Sequence, residues 1–154
     1  MMHFYLDASA WAKRYRTEPG TSWLASFWRL VPSPVCSELG LIEVLATIAR
    51  RHAGAGIPPA ETNLAFDTVR ADFRGFERLA ISPQVLATAA TLVVKHRLRG
   101  ADSIHLASAM CFRDASGEAV TMIASDAELL RAAAAEGFAC LDPQTNPPLP
   151  AAAP

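Results

Sequence analysis

Short apolar runs alternate with longer amphipathic segments along almost the whole chain, and that alternation leaves few folds open. Residues 3–7, 31–35, 79–81, 119–124 and 138–141 read as strands, rich in β-branched, aromatic or other apolar side chains. Between them, residues 9–15, 21–30, 38–52, 58–74, 83–96, 102–114 and 126–136 carry apolar residues at helical spacing. Strands separated by helices pair in parallel, because each helix carries the chain back across the sheet. The expected fold is therefore α/β: a three-layer α/β/α sandwich with a central, mainly parallel sheet of four or five strands.

Local punctuation agrees with this reading. Glu18-Pro19-Gly20 is a turn, with Thr21 as the expected cap of the next helix. Pro32 and Pro34 exclude a helix over 31–35. Ser37 is placed to cap 38–52, and Arg50, Arg51 and His52 suit the negative end of that helix. Pro58 and Pro59 open the next helix, and Gly137 stops the last one.

With 154 residues, of which 51% are hydrophobic and 19% charged, one globular domain can bury a sizeable core. Residues 1–142 are expected to form it, and the Pro/Ala-rich stretch 143–154 to be a disordered tail. The formal charge of -1 leaves no overall basic excess, so a polyanion must be met by a local patch. Cys36, Cys111 and Cys140 form no CxxC pair, which fits a reducing, cytoplasmic compartment. The N-terminus lacks the basic and apolar regions of a signal peptide. The apolar run 85–94 ends at Lys95, too short for a bilayer, so no membrane role is expected.

Four acids stand out by position. Asp7 closes the first strand, where an open parallel sheet presents its ligands. An Asp before a helix is more often a cap, so Asp7 alone decides nothing. Asp102 opens a helix after Gly100-Ala101, and Asp126 follows the strand ending at Ala124. Glu43 is embedded in the apolar run Leu41-Ile42-Glu43-Val44-Leu45, costly unless something satisfies it. Carboxylates that converge repel one another, and a hard divalent cation with oxygen ligands removes the conflict. The histidines show no paired zinc spacing; His105, one turn from Asp102, reads as a packed core residue.

These blocks carry a resemblance. Tyr5-Leu6-Asp7-Ala8-Ser9-Ala10, then Ser37 to Leu45 with Ala49-Arg50-Arg51, then Leu98-Arg99-Gly100-Ala101-Asp102 through Ala107, then Ile123-Ala124-Ser125-Asp126 follow in order across residues 2 to 142. Together they resemble a PIN domain, and in size the VapC-type toxins of prokaryotic toxin–antitoxin modules. The resemblance implies a Mg²⁺- or Mn²⁺-dependent endoribonuclease with Asp7, Glu43, Asp102 and Asp126 as its acidic quartet. Ser9 falls on a supporting hydroxyl position. Ser125 stands beside Asp126, whereas the family usually leaves one residue between hydroxyl and acid. Lys13, Arg14 and Arg16 form a basic edge placed to hold RNA, or else a solvated helix face. A cognate antitoxin and a homodimer are implied as partners, with Trp11, Trp23 and Trp28 as candidate contact residues. The rival readings are a non-catalytic PIN-like scaffold and a different phosphate-handling α/β protein, the latter lacking a Gly-rich phosphate loop here.

Overall fold

The structure is a computed structural model that describes residues 1–31 and 33–151. Five strands form one sheet in the order β3-β2-β1-β4-β5, every neighbouring pair parallel. They are β1 (Met2–Leu6), β2 (Val35–Ser37), β3 (Glu77–Leu79), β4 (Ala119–Ile123) and β5 (Ala139–Leu141). The helices are α1 (Ala8–Trp11), α2 (Thr21–Leu30), α3 (Glu38–Gly54), α4 (Pro59–Arg74), α5 (Pro83–His96), α6 (Gly100–Ser116) and α7 (Ala127–Ala135). Successive strand residues face opposite sides, and the core divides accordingly. Phe4, Leu6 and Cys36 pack with Trp11, Trp23, Phe27, Val44 and Phe73 from α1 to α4. Tyr5, Val35 and Met122 pack with Val85, Leu92, Leu106 and Leu129 from α5 to α7. The fold is the expected three-layer sandwich, with five strands.

Ser37 caps α3, accepting the Leu39 N–H at 3.3 Å as expected. Other boundaries differ. Strand β2 begins only at Val35 and runs to the cap itself, while Pro32 lies outside the described residues. Strand β3 sits two residues earlier than 79–81, because Glu77 pairs with Val35 and its backbone N–H reaches Pro34 O at 3.0 Å. Residues 9–15 split into α1 and a 3₁₀ turn, Ala12–Tyr15. Thr21 does not cap α2; Gly20, at φ +96, holds that position, and the Thr21 hydroxyl donates to Lys13 O and Arg16 O. Trp11 and Trp23 are buried and Trp28 is half-buried against the same core, so core packing accounts for all three.

The tail is ordered where it meets the domain. Pro143–Thr145 form a 3₁₀ turn capped by Asp142, and the Trp23 indole N–H donates to Pro147 O at 2.6 Å. A paired carbonyl and a buried Pro143 explain why this stretch is seated despite its composition. Residues 152–154, also assigned to a disordered tail, lie outside the described residues.

Candidate active site

The first parallel strand delivers Asp7 to the carboxyl end of the sheet, where its N–H bonds Ile123 O at 2.9 Å. The two carboxylate oxygens of Asp7 have different surroundings. Oδ2 is the cap, accepting the Ser9 N–H at 3.0 Å and the Ser9 hydroxyl at 2.5 Å. Oδ1 faces the other way, 3.4 Å from His105 Nε2. Helix α3 brings Glu43 to the same point, where His105 Nε2 hydrogen-bonds Glu43 Oε2. The imidazole is held from behind by the Tyr5 hydroxyl, 2.8 Å from Nδ1, and Tyr5 in turn accepts the Ser37 N–H at 3.2 Å. Asp7, Glu43 and His105 each offer a ligand atom within 4.8 Å of the others.

Asp102 and Asp126 line the same cleft, about 490 Å³ in volume, as Asp7, Ser9 and Glu43. They are joined by a cation: Arg99 Nε donates to Asp102 Oδ2 at 3.0 Å, and its Nη2 donates to Asp126 Oδ2 at 2.8 Å. Asp126 also caps α7, accepting the Leu129 N–H at 2.9 Å. All four sequence-predicted acids therefore share one cleft, but the tightest set contains His105 in place of Asp102 and Asp126. A histidine three residues after Asp102 in a helix shares its face, the signal that could have pointed to it.

Burial pushes the Asp102 carboxyl above the usual range; Arg99 opposes the shift, and Asp126 and Asp7 add to it. Burial alone would depress His105, but the Asp7 charge and the Glu43 hydrogen bond, with the Glu43 and Asp102 charges, leave its pKa raised. A raised histidine contributes stability below the unfolded value of about 6.5 and loses it as pH rises through the folded value. In EDTA, wild type should therefore lose stability relative to His105→Gln as pH rises above that point. Thermal melts of both proteins over a pH series check this, and a pH-independent difference refutes it.

The supporting residues divide. Ser9 lines the cleft and bonds Asp7. The Ser125 hydroxyl turns away from Asp126 and donates to Asp142 Oδ1 at 2.9 Å, while its backbone N–H donates to Ser9 Oγ at 2.9 Å. The basic edge does not form a free cationic face. Lys13 is buried against Glu18 Oε1 at 3.1 Å, because the 3₁₀ turn points it inward. Arg14 pairs with Asp72 at 2.8 Å and lies over Trp28. Arg16 is exposed on a second cleft of about 460 Å³, together with Arg51 and His52. Cations outside the expected basic edge line the acidic cleft instead: Arg50, Arg51 and Arg99.

The family model described as PIN domain matches residues 4–135. The chain belongs to the PIN domain family. Two relatives of this PIN domain are Ribonuclease VapC45 and Ribonuclease VapC49 of Mycobacterium tuberculosis. Each is 35% identical over 113 residues, covering 71% of this chain and 76% of the relative. The fold matches Mycobacterium tuberculosis VapC20, described as a sarcin–ricin loop cleaving toxin, with a TM-score of 0.64 at 17% identity over 88% of this chain and 95% of that one. It also matches a toxin–antitoxin complex from Klebsiella pneumoniae, with a TM-score of 0.54 at 17% identity over 79% and 85%. The donor set of this PIN domain fits a metal: carboxylate oxygens of Asp7 and Glu43 and a ring nitrogen of His105 lie within 4.8 Å of one another, and a divalent cation would offset the repulsion between the two carboxylates. Among the described residues, no helix is long and apolar enough to cross a membrane.

Proposed function

We propose that this PIN domain is a Mg²⁺- or Mn²⁺-dependent endoribonuclease that acts as the toxin of a cytoplasmic toxin–antitoxin module. The observation that carries the reading is the placement of Asp7, Glu43, Asp102 and Asp126 in one cleft, with Asp7 and Glu43 at ligand spacing. Asp7 and Glu43 would hold the ion, with Asp102 beside them and Asp126 at the rim. When bound, the ion would activate water and stabilise charge on the phosphodiester.

The chain's own residues then have separable tasks. Ser9 fixes Oδ2 of Asp7 and so directs Oδ1 into the cleft. His105, braced by Tyr5, holds Glu43 in place. Arg99 spans Asp102 and Asp126 at the mouth, and Arg50 offers a cation to the RNA backbone from α3, with Arg51 beside it shared with Glu18 at 3.2 Å. The antitoxin partner is supported by the Klebsiella pneumoniae complex of the same fold. A homodimer is supported by the apolar residues Leu86, Val93 and Val94, which stand exposed on α5.

The test is purified protein with structured and single-stranded RNAs in Mg²⁺, Mn²⁺ or EDTA. Cleavage is expected in the divalent ions and none in EDTA; activity that persists in EDTA overturns the reading. Arg50→Ala should weaken RNA binding across sequences and flatten its salt dependence by about one unit of slope, with kcat retained. Binding titrations at several salt concentrations check this, and an unchanged slope removes Arg50 from the RNA path. Lys13→Ala instead removes the buried cation from Glu18, which keeps only Arg51 at 3.2 Å, so its effect should fall on stability.

A further inference from the structure

Loops after β4 and β5 meet behind Asp7 through a continuous set of hydrogen bonds. Ser9 Oγ has one proton, and the 2.5 Å contact places it on Asp7 Oδ2. Its lone pair is thereby turned toward the Ser125 N–H, 2.9 Å away. Ser125 is held on its other side by residues beyond β5: its hydroxyl donates to Asp142 Oδ1 at 2.9 Å, and its carbonyl accepts the Gln144 side-chain amide at 3.3 Å. Asp142 is itself fixed, because the same Oδ1 accepts the Gln144 N–H at 2.9 Å and its carbonyl accepts the Thr145 hydroxyl at 2.9 Å.

The segment that carries Asp142 is anchored to α2, away from the cleft. Pro143 is buried against Gly20 so closely that a Cβ there would lie 2.9 Å from Pro143 backbone and side chain. Pro147 O is held by Trp23. Residues 142–147 therefore form a strap from the α2 face to the loop 124–126.

We propose that Asp142 is a positioning residue of the active site, acting through Ser125 and Ser9 to set the orientation of the Asp7 carboxylate. Oδ2 of Asp7 is occupied by the two Ser9 donors, so the rotation of the carboxyl group, and with it the direction of Oδ1, follows where Ser9 stands. Ser9 stands where Ser125 N–H holds it, and Ser125 stands where Asp142 holds it. The catalytic part of this inference rests on the nuclease reading; the mechanical part does not.

The test uses Asp142→Ala, Asp142→Asn, Ser125→Ala and the Asp142→Ala/Ser125→Ala pair in the full chain. Outer groups that orient ligands commonly cost ~10- to 100-fold in metal affinity or activity when removed. Asp142→Ala should speed hydrogen exchange of the Ser125 amide, weaken Mn²⁺ binding in calorimetry, and lower kcat about tenfold with KM for RNA unchanged. Asp142→Asn keeps an acceptor oxygen at Oδ1 and should restore all three. Ser125→Ala should act in the same direction, and the double variant should be no worse than the poorer single one, because both remove the same contact. Normal Ser125 exchange, Mn²⁺ affinity and kcat in Asp142→Ala, even with a lowered melting temperature, would reduce Asp142 to a structural residue and overturn the proposal. So would singles whose effects multiply in the pair. If wild type cleaves no RNA, the nuclease reading fails, while the Ser125 exchange rate still decides the linkage.

Discussion

Asp7→Asn is expected to lower RNA cleavage by at least ~10²–10³-fold while leaving the protein folded, since one well-placed electrostatic group is commonly worth that much. The choice of Asn separates the two tasks of this residue. Asn caps a helix about as well as Asp, so the bonds from Ser9 N–H and hydroxyl can be kept by its amide oxygen. That assignment turns the amide nitrogen toward His105 and Glu43, where Oδ1 of Asp7 now stands. A charged acceptor is replaced by a neutral donor at the point where a cation would be held. Divalent-ion affinity should fall with the rate, and the melting temperature in EDTA should change little. Calorimetry with Mn²⁺, cleavage assays and melts of the same preparation give all three numbers. Wild-type cleavage by Asp7→Asn would remove Asp7 from the chemistry and return it to the role of a cap.

The sheet and its layers are legible because apolar periodicity reports burial directly, and burial is what the layers satisfy. The short edge strand is the weak point of that logic. Strand β3 is three residues long, with Glu77 and Arg78 exposed and Leu79 half-buried, so nothing in its own pattern sets where it starts. Its place is set by pairing with β2, a contact between residues 42 positions apart (Val35 with Glu77). The acids were legible for a different reason: each stands at an element end or, for Glu43, in an apolar run where only a partner could justify it. That partner is His105; its place one turn after Asp102 hints at it, but a buried histidine in a helix looks the same whether it faces aliphatic side chains or two carboxylates. Only the packing of α6 against α3 and β1 distinguishes them. The basic edge failed through local geometry. A regular helix over 9–15 would leave Lys13 on a rim, whereas the 3₁₀ turn hands it to Glu18, itself tied down by Thr21. Asp142 ends the expected domain, but the Pro/Ala-rich stretch after it gives no sign that Pro143 is gripped against Gly20 and Pro147 by Trp23.

The largest expected loss of stability follows removal of one aromatic ring close to the site in sequence. Trp11→Ala should cost about 3–5 kcal/mol, the usual range for truncating a buried aromatic side chain. Trp11 is fully buried, stacked on Phe73 with centroids 5.5 Å apart and tilted against Phe76 at 4.8 Å. Its indole N–H donates to the Tyr15 hydroxyl at 2.8 Å, and that hydroxyl donates to Asp72 at 2.8 Å. The truncation therefore opens a cavity and leaves a partly buried hydroxyl short of a donor. No other contact made by α1 is of this size: a cap is worth about 1 kcal/mol and a surface ion pair less than about 1 kcal/mol. A four-residue helix cannot stand alone, since helix nucleation is unfavourable, so α1 is held by the packing of Trp11. Asp7 and Ser9 lie at the start of that helix, and loosening it releases both. Against a typical stability of ~5–15 kcal/mol, the loss should lower the melting temperature by roughly 10 °C. Trp11→Phe keeps a stacked ring and should recover most of the stability, while still leaving Tyr15 without the indole donor. Thermal and urea unfolding of the three proteins decide it. A fall of only one or two degrees in Trp11→Ala would mean that α1 is held by its backbone bonds to Asp7 and not by its ring.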